Sequence, residues 1–404
     1  MKLRLLLVVL VVLINSGTAH ADLISDWNEA VIAAGYRAQL YPVPNTRNVA
    51  MVQVAMFEAI NAIAPRYKTY ALALKPAPDT GKEAATITTA HELLRQLYPE
   101  QSKSFADLYQ KQMSEIADGA GKLRGVEFGK QIAAEMLKLR AGDNIDAVEN
   151  YEPEARPGAY VPTVIPLGTT CGNVTPWALK HPAQFRPGPP YKLASEQYAR
   201  DFNEVKAYGG KTQSKRSEEQ TAVAKFWEFT GPGTYSPIAR QWASRANLDL
   251  VDSARLFALF AMATADSYLA VFDAKYQFNF WRPITAIRNG AKDNNRDTLA
   301  DNRWLPLLDT PLHPEYPCAH CIASTTAATV LEKLFGRADY AEFELSSPTA
   351  ANQTRRYANL NDYVQEIMNA RIWGGIHFRS SALVANKMGK QIAEFVLQNY
   401  LTPR

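Results

Sequence analysis

The chain has 404 residues, 47% of them hydrophobic and 21% charged. That is enough apolar material for a large core in one or two domains, and the ordinary charge fraction excludes a disordered chain. The net charge of +4 falls to +2 without Lys2 and Arg4 of the leader, which carries no acid, and no Lys/Arg run is interleaved with aromatic residues, so nucleic acid is excluded as a partner. Lys2 and Arg4 precede the unbroken apolar run Leu5 to Ile14, and Ala19-His20-Ala21 offers small residues for cleavage. Residues 1–21 are therefore expected to be a signal peptide and 22–404 a single helical domain, secreted or periplasmic. The run is short for a membrane span, which needs roughly 20 residues, and no later stretch reads as a stable span. The three cysteines, Cys171, Cys318 and Cys321, are too few for a disulfide scaffold, and their odd number leaves at least one thiol unpaired within the chain.

Helical periodicity starts with Trp27, Ala30, Val31 and Ala34, before Gly35. A second helix, capped by Asn45 or Thr46, carries Val49, Val52, Met56, Ile60 and Ile63 and stops at Pro65. Three more are expected over 84–97, 105–116 and 123–139. His91, within the third helix, reads as a packing residue. From 142 to 192 prolines are frequent, yet Tyr151, Tyr160, Trp177 and Phe185 need something to pack on. This segment is expected to wrap over the body and to offer a wall to a substrate pocket. His181 reads as a loop residue. Helices resume over 195–208 and again through Phe229, then a tight loop spans 230–237. The stretch 248–272 is apolar nearly all round, as suits the centre of a bundle. With no alternating strand pairs and no fixed repeat, the fold is expected to be all-α: a large helical domain built from two helical bundles, one on each side of the proline-rich segment. Its apolar helix faces are compatible with a homodimer.

Three stretches near the C-terminal end carry the chemistry. In the first, Lys275 and Arg282 are seven apart and can share a helix face, with a stop or kink at Pro283. Phe278, Phe280 and Trp281 beside them argue for partly buried cations, which need an anionic partner. In the second, His313 to Cys321, a proline-punctuated loop leads into a helix. Residues 318–320 then sit at a helix N-terminus, where N–H groups and the dipole favour an anion, and His320 is placed to exchange protons with it. In the third, Arg371 to His377, Gly374-Gly375 lets backbone approach a ligand, and His377 is competent as nucleophile or metal ligand. Cys318-Ala-His-Cys321 also has the spacing of a thiol oxidase, but the thioredoxin-like context is absent, which leaves a local disulfide or two free thiols.

These stretches resemble the signature of the vanadium-dependent haloperoxidases and type 2 phosphatidic acid phosphatases, K-x6-R-P, P-S-G-H and R-x5-H. Lys275, Arg282 and Pro283 fit the first motif, Pro317 and His320 the second, Arg371 and His377 the third. The helical texture from Trp27 onward is similar to the bacterial haloperoxidase-like branch. The resemblance implies that Lys275, Arg282 and Arg371, with Cys318 and Ala319 at the helix start, bind vanadate or phosphate. It implies His377 as axial vanadium ligand, or as the nucleophile that gives a phosphohistidine, and His320 as acid–base. The implied substrates are hydrogen peroxide and halide with vanadate as cofactor, or, without a metal, a phosphate ester. A third reading is a non-catalytic oxyanion-binding protein. Two departures stand out. The Ser-Gly of the motif is Cys318-Ala319, and the Asp four residues after the last His, which orients the imidazole, is Ser381. A thiol is a weaker donor than a hydroxyl and is open to oxidation by peroxide or hypohalite, so both departures weigh against efficient halide oxidation.

Overall fold

The computed structural model describes residues 20–336, 342–350 and 353–404. The expected leader lies outside these residues except for its last two, which enter the first helix. That helix, α1 (His20–Arg37), runs past Gly35. The second, α2 (Pro42–Ile63), starts earlier than expected. Its N-terminal turn is made by Pro42 and Pro44, since a helix start has no use for those N–H groups. Asn45 and Thr46 are therefore buried inside the helix rather than capping it. Next come α3 (Lys82–Leu97), α4 (Ser102–Ser114) and α5 (Ala120–Arg140). Gly125 and Gly129 on α5 allow close approach to α3: a Cβ on either would lie 2.5 Å from the carbonyl oxygen of Gly81 or Ala85.

The second half holds α6 (Glu196–Tyr208), α7 (Glu218–Phe226), α8 (Ser236–Arg245), α9 (Leu250–Phe278) and the short α10 (Pro283–Arg288). Then follow α11 (Ala319–Phe335), α12 (Leu360–Trp373) and α13 (Arg379–Asn399). Ser195 caps α6, and Ser217 with Gln220 forms a capping box on α7. Beyond the sequence expectations, the structure adds helix α8 and the antiparallel pair β1 (Phe343–Ser346) and β2 (Thr354–Tyr357), with Phe343 opposite Tyr357.

The molecule is organised by α9. It packs against α1 and α2 from the first helix group and against α11 and α13 from the second, so it belongs to both. Asp249 caps it, its side chain accepting from the Asp252 N–H, a device worth about 1 kcal/mol. Leu256, Phe257, Leu259, Phe260, Met262, Leu269 and Phe272 are all buried, each burial worth about 1.5–3 kcal/mol. Contrary to the sequence reading, α9 is long and apolar enough to span a bilayer, with mean hydropathy 1.4. However, 94% of its most apolar window is buried within the protein, so protein already occupies the surface that lipid would need.

The proline-rich segment is laced onto the body by polar contacts. Asp266, fully buried on α9, accepts the backbone N–H groups of Trp177, Ala178 and Leu179 at 2.7–2.8 Å. Arg140 stacks on Trp177 at 4.2 Å and donates to the carbonyls of Thr175 and Pro176. Arg186 forks onto Asp273 with two bonds of 2.7 Å. Nearer the chemistry, Tyr160 N–H donates to the Asn279 carbonyl and Trp281 N–H to the Gly158 carbonyl. Leu167 N–H meets the Leu312 carbonyl, and the Tyr316 hydroxyl donates to the Gly188 carbonyl. The segment is thus bonded to the stretches around residues 280 and 312–316.

Candidate active site

All three stretches meet beside the start of α11. Helix α9 delivers Lys275 in its last turn, then stops because Asn279 adopts a left-handed conformation, φ 47°. Arg282 is thus outside α9 and forms the N-cap of α10. The expectation that Lys275 and Arg282 share one helix face is corrected: they converge from two elements across a turn. Cys318 is the N-cap of α11, with Ala319 and His320 in its first turn. Arg371 lies in the last turn of α12, and His377 follows a tight turn at Gly374-Gly375. Gly375 has φ +78°, and a Cβ there would lie 2.3 Å from the Gly209 carbonyl oxygen, so only glycine fits the turn that aims His377.

Every one of these residues is buried: Lys275 0%, Arg282 1%, Arg371 1%, His377 1% and His320 9% exposed. The Lys275 ammonium donates to the carbonyls of Pro314, Glu315 and Pro317. Burial, then the charge of Arg282, pulls its pKa well below the ordinary value. Three carbonyl acceptors nevertheless require three donors, which only the protonated amine supplies. Its donors are thus all engaged, so in this conformation Lys275 fastens the loop and acts on a ligand through its charge.

Arg282 donates from Nε to the His313 carbonyl at 2.9 Å and from one terminal nitrogen to the Ile376 carbonyl at 2.9 Å. That nitrogen lies 3.3 Å from His377 Nε2, and the other lies 3.0 Å from His313 Nδ1. Burial lowers the Arg282 pKa to about 10. Arg371 donates to the Trp227 carbonyl, while its buried Nε has no partner. Burial, then Arg282, takes its pKa to about 9. Both guanidinium groups therefore stay charged at neutral pH.

The counter-charge comes from a residue that belongs to none of the three motifs. Glu315, fully buried, lies with Oε1 2.8 Å from His377 Nδ1 and accepts the Phe378 N–H at 2.9 Å. Burial raises its pKa to about 7, against the lowering effect of Lys275 and Arg282. The missing aspartate at position 381 therefore does not leave His377 without a carboxylate. His313 likewise lies outside the motifs, yet it holds Arg282 by both ring and carbonyl. The only signal for either was their place in the quoted stretch, His313-Pro314-Glu315.

His320 Nε2 lies 3.2 Å from the Glu228 carbonyl, to which it donates, leaving Nδ1 as the free base. Burial, then Arg371, drives the His320 pKa well below 6.5, and burial with Arg282 does the same for His377. Both imidazoles are thus neutral, as proton acceptance or ligation requires. Cys318 and Cys321 are joined in a disulfide, and Cys171 is free and buried. Cys318 Sγ still caps α11, accepting the Cys321 N–H at 3.2 Å, but it has no proton to give a ligand. His91 stacks on Tyr109 and His181 precedes a 3-10 turn, both apart from the cluster.

The cluster therefore sets three buried cations against one buried carboxylate. Among the described residues no three His, Cys, Asp or Glu side chains converge to hold a metal cation. The donor set is instead that of an oxyanion site: two guanidinium groups, one with an orphaned Nε, and a helix start whose first N–H groups have no acceptor within the helix.

Residues 255–403, which contain all three stretches, match the family model of the VCPO second helical-bundle domain. That C-terminal part of the chain is therefore similar to a helical-bundle domain of the vanadium haloperoxidases. In sequence it is 29% identical over 129 residues to the vanadium chloroperoxidase of Curvularia inaequalis, a match covering 26% of this chain and 21% of that protein. The chain thus spans about a fifth of that relative's length. In fold it is similar to a bacterial vanadium-dependent iodoperoxidase, with TM-score 0.82 and 23% identity over 95% of this chain and 97% of that one. A holo-type bacterial vanadium-dependent chloroperoxidase superposes with TM-score 0.68 and 16% identity, covering 87% of this chain and 92% of that one. These superpositions bear out the all-α architecture of helical bundles.

Proposed function

We propose that this protein is a vanadate-dependent haloperoxidase-like enzyme that oxidises halide with hydrogen peroxide. The observation that carries the reading is the buried excess of positive charge around His377, on a chain whose relatives are named as vanadium haloperoxidases. Vanadate, when bound there, would supply a Lewis-acidic centre that activates peroxide towards halide. Arg282 and Arg371 would hold its oxygens, with the first N–H groups of α11 at Ala319 and His320. Lys275 would contribute charge, and His377 Nε2 would ligate vanadium. His320, neutral and with Nδ1 free, would take up and return a proton. The proline-rich wall and the burial of every charged group keep bulk water from screening these interactions. The protein would be exported after cleavage before Asp22, which the intact mass of the secreted product tests.

The experiment is peroxide-dependent bromide oxidation by the purified protein, with and without orthovanadate, beside a His377→Ala variant. Activity that needs both vanadate and His377 is the expected result. No oxidation by protein shown to carry vanadate would defeat the proposal. A metal-free phosphatase is the second reading, because a carboxylate on Nδ1 also prepares His377 Nε2 for attack on phosphorus. Hydrolysis of a phosphate monoester without metal, inhibited by vanadate, would favour it.

A further inference from the structure

His377 has two ring nitrogens with different surroundings. Nδ1 lies 2.8 Å from Glu315 Oε1, whereas Nε2 faces Arg282 at 3.3 Å. A ligating or attacking imidazole needs a lone pair on the nitrogen that meets the ligand, so the proton must sit on the other. The guanidinium beside Nε2 is a permanent donor, and the carboxylate beside Nδ1 is an acceptor. Both neighbours therefore select the tautomer with Nδ1–H and a free pair on Nε2. The same Oε1 also takes the Phe378 N–H, so one oxygen fixes both the ring and the backbone that carries it.

Glu315 is itself held in place. Its carbonyl, with those of Pro314 and Pro317, accepts from Lys275. Glu315 Oε2 and Ser381 Oγ are both buried without a hydrogen-bond partner, and the Ser381 hydroxyl is near enough to counter the rise in the carboxyl's pKa. Ser381 is in the first turn of α13, four residues beyond His377.

We propose that Glu315 is the positioning residue of His377, fixing the tautomer and ring orientation that present Nε2 to the bound oxyanion, and that position 381 faces the same space, so that a carboxylate there can replace it. This rests on the oxyanion-site reading, but its first test does not.

The test is made on the full-length mature protein, labelled with 15N-histidine. Of the 6 histidines in the chain, His20 lies in the expected leader, so His377 can be assigned by substitution among the few that remain. Long-range 1H–15N correlation spectra report which ring nitrogen carries the proton, with no ligand present. Wild type should show Nδ1–H on His377. Glu315→Gln should keep it, because its amide oxygen still accepts from Nδ1 and from Phe378 N–H. Glu315→Ala should mix or reverse it, and Glu315→Ala/Ser381→Asp should restore it. Orthovanadate titrated calorimetrically into the same four proteins should bind about 10–100-fold more weakly to Glu315→Ala, the usual loss when a ligand's hydrogen-bond partner is removed. The double variant should recover most of that loss. An unchanged tautomer in Glu315→Ala, or vanadate affinity within a factor of two of wild type, would overturn the proposal. Failure of Ser381→Asp to restore either quantity in a protein with wild-type circular dichroism would overturn its second half. If wild type binds no vanadate, the oxyanion reading fails while the tautomer still decides the role of Glu315.

Discussion

Cys318 and Arg371 show how differently two neighbours can serve an oxyanion site. Arg371 is fully charged and buried, with an Nε that nothing in the protein satisfies. An unmet donor on a buried cation is costly, and a ligand oxygen is the natural remedy. Cys318, at the very start of α11, gives nothing to a ligand because its sulfur is bonded to Cys321. A hydroxyl at this place would cap the helix and donate its proton at the same time. The Cys318→Ser/Cys321→Ser variant is therefore expected to bind orthovanadate several-fold more tightly than wild type, as read by calorimetry. Weaker binding would show that the disulfide itself shapes the cradle.

At the scale of elements, the site depends on how α9 and the proline-rich wall are tied. Asp266 takes three backbone N–H groups from one short stretch of that wall. Asn in its place has one acceptor oxygen and turns an N–H₂ towards the remaining donors. Asp266→Asn should cost several kcal/mol, given about 1–3 kcal/mol for each buried donor left unsatisfied, and urea unfolding measures it. A loss below about 1 kcal/mol would mean that the wall is held by its other contacts.

The elements also show what a sequence can and cannot reveal. Helices α3 and α5 and the core helix α9 were legible because their apolar residues recur at helical spacing. Helix α8 was hidden by the prolines and glycines that lead into it, and β1–β2 by strands of only four residues. The seven-residue spacing of Lys275 and Arg282 suggested one helix, whereas the left-handed Asn279 ends it between them. Motif residues in the three stretches were readable as cations and imidazoles. Glu315 was not, because its partner His377 lies 62 positions away and only the fold makes them neighbours. For the same reason the sequence does not show that His377 has a carboxylate beside it despite Ser381.

Across the whole molecule, buried acids set the response to pH. Burial raises Glu58 from 4.5 to about 7 and Asp266 from 3.8 to about 6, against the lowering effect of their backbone hydrogen bonds. A carboxyl with a raised folded-state pKa binds protons more tightly when folded. The Glu58 contribution is thus fully present below pH 4.5 and is lost as pH rises through 7. Glu58→Gln keeps an acceptor for the Tyr70 N–H but cannot titrate. Urea midpoints for this variant should fall less steeply than wild type between pH 4.5 and 7. An identical slope would show that Glu58 does not titrate in that window.

The claim on which everything else depends is that the buried cations at the start of α11 form an oxyanion site. Calorimetric titration of orthovanadate into the purified protein, with Arg371→Ala as comparison, tests it directly. One site per chain is predicted, with binding weakened by about 10²–10³-fold in the variant, on the scale of losing a charged donor in a buried site. Absence of binding by the folded wild type, or equal affinity in the two proteins, would contradict the account.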